Sequence, residues 1–140
     1  MSDDERRLIG LATLYEQVVR STYDKRGPSE LQPAQWSALR FFQRAGTGAR
    51  TVSGLAAYLG VTMGPASRAA RALERNGLLV SERNPDDARS VIFTLTPDGA
   101  ARLREDPLIR LVRALGKLDA PVQDALSQIV KDLSKSLGND

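Results

Sequence analysis

Residues 62–77 have the sequence TMGPASRAARALERNG, and this pattern predicts a short helix with two unlike faces. Small apolar side chains fall at helical spacing on one side: Ala66, Ala69, Ala70 and Leu73. Three arginines fall on the other side: Arg68, Arg71 and Arg75. Thr62 is placed to cap the first turn, and Asn76-Gly77 is a stop signal. A basic face of this kind either contacts nucleic acid or is an ordinary solvated face.

The residues just before this helix, 51–59, predict another short helix whose inner face carries Leu55, Ala56 and Leu59. Gly60 ends that helix, so only a tight turn separates the two. Two short helices joined in this way form a helix-turn-helix motif. In DNA-binding versions of the motif the second helix enters the major groove, and here the second helix carries the three arginines.

Two segments rich in β-forming residues follow the arginine helix, at 78–83 and 90–95. The segment between them, 84–89, is polar and contains a proline and two aspartates. This arrangement predicts a β-hairpin with a loop longer than two residues. A hairpin directly after a helix-turn-helix is a wing.

Further helices are predicted on both sides of this central region. They cover 4–26, 33–44, about 96–117 with a kink at Pro107, and 121–137. Trp36, the only tryptophan, is expected to anchor the core. The fold class is therefore predicted to be mainly α with a small β-hairpin wing.

The predicted elements divide the chain by role. Residues 30–98 are expected to form a winged helix-turn-helix DNA-binding lobe. Residues 1–29 and 99–140 are expected to form a helical dimerisation region, because the first, fifth and sixth predicted helices carry apolar stripes. A symmetric homodimer would place two arginine helices about one DNA turn (~34 Å) apart, which suits a palindromic operator.

The composition excludes several classes of function. The 140 residues include no cysteine and no histidine, which rules out disulfides, thiol chemistry and histidine-based catalysis. No glycine-rich phosphate loop is present, so an enzyme is not expected, and no cofactor or metal site is predicted. No apolar run approaches the ~20 residues of a membrane span, so the expectation is a soluble cytoplasmic protein with no membrane partner. The net charge of +3 permits binding to nucleic acid.

Three short stretches give the chain a family resemblance. They are LERNGLL at 73–79, DAR at 87–89 and LTPDG at 95–99. Together with the order of the elements, they resemble regulators of the multiple antibiotic resistance regulator (MarR) family over nearly the whole chain. The resemblance implies a dimeric winged-helix transcription factor, often a repressor that releases DNA on binding a small phenolic or other lipophilic ligand. It also implies that Arg89 reaches a minor groove and that Asp87 braces the wing.

The candidate DNA contacts lie on the two motif helices and on the wing. The chain departs from the family pattern at 63–65, where Gly64 and Pro65 offer no side-chain hydrogen bonds to bases. Base contacts are therefore expected from Ser67, Arg68 and Arg71, and phosphate contacts from Arg75. The full predicted set is Thr51, Thr62, Ser67, Arg68, Arg71, Arg75, Asp87 and Arg89.

A candidate effector site is predicted where the first, second and fifth helices would meet. Its residues are Tyr15, Tyr23, Trp36, Leu39 and Arg40. Aromatic walls with one cation would suit a small aromatic acid. The alternative is that these side chains simply fill a hinge.

These observations predict a sequence-specific DNA-binding transcriptional regulator, a repressor released by a small lipophilic or phenolic ligand. Its predicted partners are double-stranded DNA with a palindromic operator, a second copy of the chain and a small-molecule effector. The alternative is a winged-helix module that docks protein. An apolar or acidic recognition face would favour that alternative, whereas three arginines favour DNA.

Overall fold

A computed structural model of the chain describes residues 1–24 and 30–138, which are mainly helical with one antiparallel hairpin. The helices are α1 (Asp3–Ser21), α2 (Pro33–Arg44), α3 (Val52–Leu59), α4 (Met63–Arg75), α5 (Pro97–Leu103), α6 (Leu108–Leu115) and α7 (Ala120–Gly138). The strands are β1 (Leu79–Asn84) and β2 (Asp87–Leu95), and a short 3-10 turn (Thr47–Ala49) precedes α3. The predicted fold class, a mainly helical winged helix-turn-helix, is confirmed.

The chain divides into two compact units. One unit, Tyr23–Asp106, contains the helix-turn-helix and the hairpin. The other unit consists of Met1–Thr22 with Pro107–Asp140 and contains α1, α6 and α7. The dimerisation role expected for the outer helices stays a prediction.

The core of the Tyr23–Asp106 unit forms around α2. Trp36 and Phe42 on that helix are each 1% exposed and belong to one apolar cluster with side chains from α3, α4, the hairpin and α5. The expected role of Trp36 as a core anchor is confirmed. Ala66 and Ala70 of α4 are fully buried in the same cluster. Because these side chains are small, the arginine helix packs closely on its neighbours, as its sequence predicts.

Glycines with a positive φ follow both helices of the helix-turn-helix motif. Gly60, between α3 and α4, has a φ of 69°, and Gly77, just after α4, has a φ of 76°, in the left-handed region that side chains with a Cβ avoid. The predicted cap at the start of α4 is wrong in one respect. Thr62 occupies the capping position, but its side chain makes no capping hydrogen bond. The reason is that Pro65 is the third helical residue, so the N–H that a cap usually binds is missing.

The hairpin differs from its predicted form. The strands extend into the polar segment, so that only residues 85–86 connect them, and the expected loop longer than two residues is wrong. The register is regular from Leu79↔Leu95 to Arg83↔Val91 and then shifts to Asn84↔Asp87. The chain between Asp87 and Val91 therefore bulges out of the ladder. Bulges of this kind bend a strand and redirect its side chains.

The start of α5 lies very close to the hairpin backbone. The hydroxyl of Thr96 accepts a hydrogen bond from the Gly99 N–H, and Pro97 takes the first helical position, as predicted. A Cβ placed on Gly99 would lie 2.2 Å from the carbonyl oxygen of Leu78. Only glycine therefore allows α5 to begin this close to the hairpin.

Two helix boundaries differ from prediction. The helix expected to be kinked at Pro107 is instead two helices, α5 and α6, separated by residues 104–107. The missing N–H and the ring of Pro107 end the helical hydrogen-bond pattern outright. The first helix ends at Ser21, and its predicted stop at Gly27-Pro28 lies outside the described residues.

The helices of the other unit leave their apolar side chains uncovered. No residue of α1, α6 or α7 is buried, although all three helices are fully described. Their exposed apolar side chains, each 37–76% accessible, are Leu8, Ile9, Leu11, Leu14, Tyr15, Val18, Val19, Val112, Val122, Ile129, Val130, Leu133 and Leu137. None of the described helices is both long and apolar enough to cross a membrane.

Candidate nucleic-acid interface

An open groove of about 390 Å³ lies between the start of α3, the arginine helix α4 and the tip of the hairpin. It brings together four of the predicted DNA contacts: Thr51, Arg71, Asp87 and Arg89. The groove is also lined by polar or flexible side chains that were not predicted from the sequence, namely Ser53, Met63, Asn84 and Ser90. Asn84 directly precedes the hairpin turn and Ser90 lies in the segment that bulges after it, so the shifted strand register places both of them here.

The remaining predicted contacts lie outside this groove. Thr62, Arg68 and Arg75 are exposed on or beside α4, and Ser67 is half-buried. Among the described residues, neither Arg68 nor Arg75 forms an ion pair. Their long side chains are therefore available to move toward an anionic partner.

Arg71, in contrast, is held in place. Its Nη1 lies 2.9 Å from Oε1 of Glu74, one helical turn further along α4. Its guanidinium carbon lies 5.3 Å from the centre of the Phe93 ring on β2. The three arginines therefore differ in their surroundings, because Arg71 is paired and stacked whereas Arg68 and Arg75 form no ion pair among the described residues.

Glu74 also contacts the hairpin. Its second carboxylate oxygen, Oε2, accepts a hydrogen bond from the Ser81 hydroxyl on β1. The hydrogen bond from Ser81, together with that from Arg71, holds the pKa of Glu74 below its ordinary value. The carboxylate is therefore ionised at neutral pH and joins α4 to the wing.

The wing tip is ordered by its own side chains. The Asp87 carboxylate accepts a hydrogen bond from the backbone N–H of Arg89 at 3.0 Å and lies 3.4 Å from its Nε. Asn84 donates to the Ser90 hydroxyl at 3.1 Å and accepts from the backbone N–H of Asp86 at 3.0 Å. These bonds replace ladder bonds where the register shifts. The side chain of Arg89 is 93% exposed, so the tip presents a cation to solvent.

Thr51 has a structural task as well as its place in the groove. Its hydroxyl oxygen accepts a hydrogen bond from the Gly54 N–H and so caps α3. The hydroxyl hydrogen is still able to donate to a second partner. Thr51 can therefore cap the helix and contact a phosphate at once.

The predicted effector residues have different surroundings from those expected. Arg40 makes a bidentate pair with Asp106, with both N···O distances 2.7 Å, and its guanidinium also donates to the Tyr23 hydroxyl. Burial lowers the pKa of Arg40, but the bonds and charge of Asp106 and Tyr23 outweigh it and raise that pKa overall. The cation expected in the effector site is therefore already neutralised by Asp106.

The other predicted effector residues differ in burial. Trp36 and Leu39 are buried in the core, which leaves their side chains almost no free surface. Tyr15 belongs to α1 in the other compact unit, where it is 47% exposed. Within residues 1–24 and 30–138, no group of three or more acidic side chains could hold a metal ion.

The chain has recognisable relatives in sequence and in structure. Residues 29–90 match the MarR family. No curated protein sequence is significantly similar to the chain. The transcriptional repressor CouR, solved bound to a 23-mer DNA duplex, is 27% identical, with a TM-score of 0.75 over 94% of this chain and 96% of that one.

Two further solved structures have the same fold. BpsR from Bordetella bronchiseptica is 21% identical, with a TM-score of 0.74 over 96% of each chain. BldR from Sulfolobus solfataricus, a transcriptional regulator, is 26% identical, with a TM-score of 0.69 over 96% of this chain and 99% of that one. These likenesses support a DNA-binding regulator of transcription. The resemblance to the MarR family predicted from the sequence is confirmed over residues 29–90, the segment that carries the helix-turn-helix and most of the wing.

Proposed function

We propose that this protein is a sequence-specific DNA-binding repressor that acts as a homodimer and is released from DNA by a small aromatic acid. The observation that carries the DNA-binding part is the groove between α4 and the wing, which gathers Thr51, Arg71 and Arg89 beside two further exposed arginines of α4. An α4 placed in a major groove would bring its arginines to base edges and phosphates, while the wing arginine extends toward the neighbouring minor groove. CouR, which shares the fold, has been solved on a DNA duplex.

Dimerisation follows from the uncovered helices. Many apolar side chains of α1, α6 and α7 are exposed, and a second copy of the chain would cover them. A two-fold dimer reads a palindromic operator with one α4 in each half-site. Such a regulator acts where chromosomal DNA is accessible, which agrees with the expected cytoplasmic location.

The direct test of DNA binding is selection of duplexes from a random library by the purified chain. We expect a palindromic sequence with half-sites about 10 base pairs apart, and an affinity that falls steeply with salt. Arg68→Ala should weaken binding, whereas Arg104→Ala, which removes one exposed charge from α5's end, should have much less effect. If no duplex is enriched and none is bound at low salt, DNA binding is excluded and protein docking becomes the better explanation.

The effector proposal rests on the Arg40–Asp106 pair. A carboxylate ligand would have to take the place of Asp106 on the Arg40 guanidinium, close to the Tyr23 hydroxyl. The resulting loss of the Asp106 contact is the means by which the ligand would favour a state that does not bind DNA. DNA binding by BpsR is regulated by 6-hydroxynicotinic acid, which belongs to the same chemical class.

Titration with salicylate tests this proposal, with DNA release and Trp36 fluorescence as the two signals. Asp106→Asn should raise the affinity for the acid, because the competing carboxylate is removed from Arg40. Asp98→Asn, an exposed acid on α5, is the matched control and should leave the affinity unchanged. A protein that shows neither signal up to millimolar salicylate would contradict the proposed effector class.

A further inference from the structure

The contacts of Glu74 connect the recognition helix to both strands of the wing. Ser81 on β1 donates to Glu74, and the Phe93 ring on β2 lies under the Arg71 guanidinium. Ser81 and Phe93 are directly paired across the hairpin, so their side chains share one face of it. One cross-strand pair of the wing therefore holds both members of the Arg71–Glu74 ion pair on α4.

This arrangement limits the movement of Arg71 before any DNA is present. The ion pair fixes one edge of the guanidinium and the Phe93 ring fixes one of its faces. Several N–H donors of the guanidinium are not used by these contacts, and the side chain remains 44% exposed. Because the guanidinium is already held in place, less side-chain conformational entropy is lost when its remaining donors bind a partner.

The fixing group is itself an anion on a surface that meets DNA. A carboxylate near the phosphate backbone opposes binding to every sequence alike. Its cost to general affinity is offset only if it improves discrimination between sequences. Specificity of this kind arises when an element penalises wrong partners more than the right one.

We propose that Glu74, held by Ser81, is a positioning residue that fixes Arg71 for base recognition, and so raises sequence specificity at the expense of general DNA affinity. The inference rests on the proposed function, because it assumes that Arg71 faces bases in a major groove. It assigns to Glu74 and Ser81 a role in recognition although neither lines the groove.

The test measures a specificity ratio, which is the dissociation constant for a scrambled duplex divided by that for a selected duplex of equal length. Glu74→Gln should tighten binding to the scrambled duplex and lower the ratio of the two constants about tenfold, which is the discrimination that one bidentate arginine contact supplies. Glu82→Gln is the matched control, since it removes an equal charge from the exposed face of β1. It should tighten binding to both duplexes and leave the ratio unchanged.

A second pair of variants separates positioning from folding. Ser81→Ala should lower the ratio because Glu74 loses its anchor, whereas Ser81→Thr keeps the hydroxyl and should retain the wild-type ratio. In an Arg71→Ala background, Glu74→Gln should lower the ratio no further. Thermal unfolding of each variant checks that the fold is intact.

The outcomes distinguish the two proposals. If the wild-type protein binds the selected duplex specifically and Glu74→Gln changes the ratio by less than about twofold, the positioning role is wrong and DNA binding stands. The same holds if Ser81→Ala and Ser81→Thr behave alike. If the wild-type protein binds no duplex, the proposed function fails, and the positioning role fails with it.

Discussion

The three arginines of α4 illustrate how one residue type takes different roles on one helix. Arg71 is stacked and paired, so it offers donors in a fixed geometry. Arg68 and Arg75 are exposed, and a flexible cation is suited to a phosphate, whose position tolerates variation. This difference supports the predicted base contact of Arg71 and the predicted phosphate contact of Arg75, and it leaves Arg68 able to reach either a base edge or a phosphate.

That division predicts different consequences for two alanine substitutions. Arg71→Ala should cost about 1–3 kcal/mol on the selected duplex and relax the base preference at the contacted position. Arg75→Ala should weaken binding to all sequences alike. It should also reduce the slope of the logarithm of the binding constant against the logarithm of the salt concentration by about one unit. Affinities measured over a range of salt concentrations, on selected and scrambled duplexes, provide both quantities. Unchanged affinity in both variants at physiological salt would contradict these assignments.

The wing residues Asp87 and Arg89 are expected to act as a unit. Arg89→Ala should reduce DNA affinity with little change in thermal stability, because the side chain is 93% exposed and has few packing partners. Asp87→Ala should also reduce affinity, since the backbone N–H of Arg89 loses its acceptor. The double variant should lose less than the sum of the two single losses. Fully additive losses would mean that the two residues act independently.

At the scale of the elements, the junction between the hairpin and α5 depends on one missing side chain. Gly99→Ala would place a Cβ 2.2 Å from the Leu78 carbonyl oxygen, so the hairpin or α5 must shift. We expect a loss of about 1–3 kcal/mol in the free energy of unfolding, measured by chemical denaturation. Gly64→Ala, near the start of α4, meets only the end of Arg68 at 3.4 Å and is the control. It should leave stability unchanged or slightly raised, and equal losses in both variants would refute the steric argument.

The sequence predicted those elements whose signals are local. The bounds of α2 were predicted correctly because Pro33 marks its start and the apolar periodicity continues to Arg44. The end of α4 just before Asn76-Gly77 and the cap at Thr96 were predicted for the same reason. Contacts between residues that are far apart in the sequence were not predicted. Arg40 and Asp106 are 66 positions apart, and nothing near either residue indicates its partner.

The short loop of the hairpin and the pairing of Arg71 were not predicted, for related reasons. The residues of segment 84–89 favour turns, yet most of them are strand residues because side-chain hydrogen bonds replace the ladder at the tip. Arg71 has the same helical phase as a solvent-facing arginine, and only the hairpin packed beside α4 makes it different. In both cases a neighbouring element overrides the local pattern.

At the scale of the whole molecule, the exposed apolar helices predict a homodimer. Ile129→Asp or Leu133→Asp on α7 would place an unpaired charge in the covered layer or its support, and should shift the protein toward monomer. Sedimentation at micromolar concentration measures this shift. Asp132→Asn, an exposed position of α7 next to Leu133, should not change the assembly. A wild-type protein that sediments as a stable monomer would exclude the dimer.

The absence of any buried residue in α1, α6 and α7 has a consequence for how the regulator would respond to its own abundance. Helices with no buried side chain of their own gain stability mainly by joining another copy, so folding of this unit and assembly would be one equilibrium. At concentrations at which most of the protein is monomeric, the concentration of the dimer rises with the square of the total protein concentration. A twofold change in synthesis would then change operator occupancy up to about fourfold. The response of operator occupancy to protein concentration would therefore be steeper than for a protein that binds DNA as a monomer.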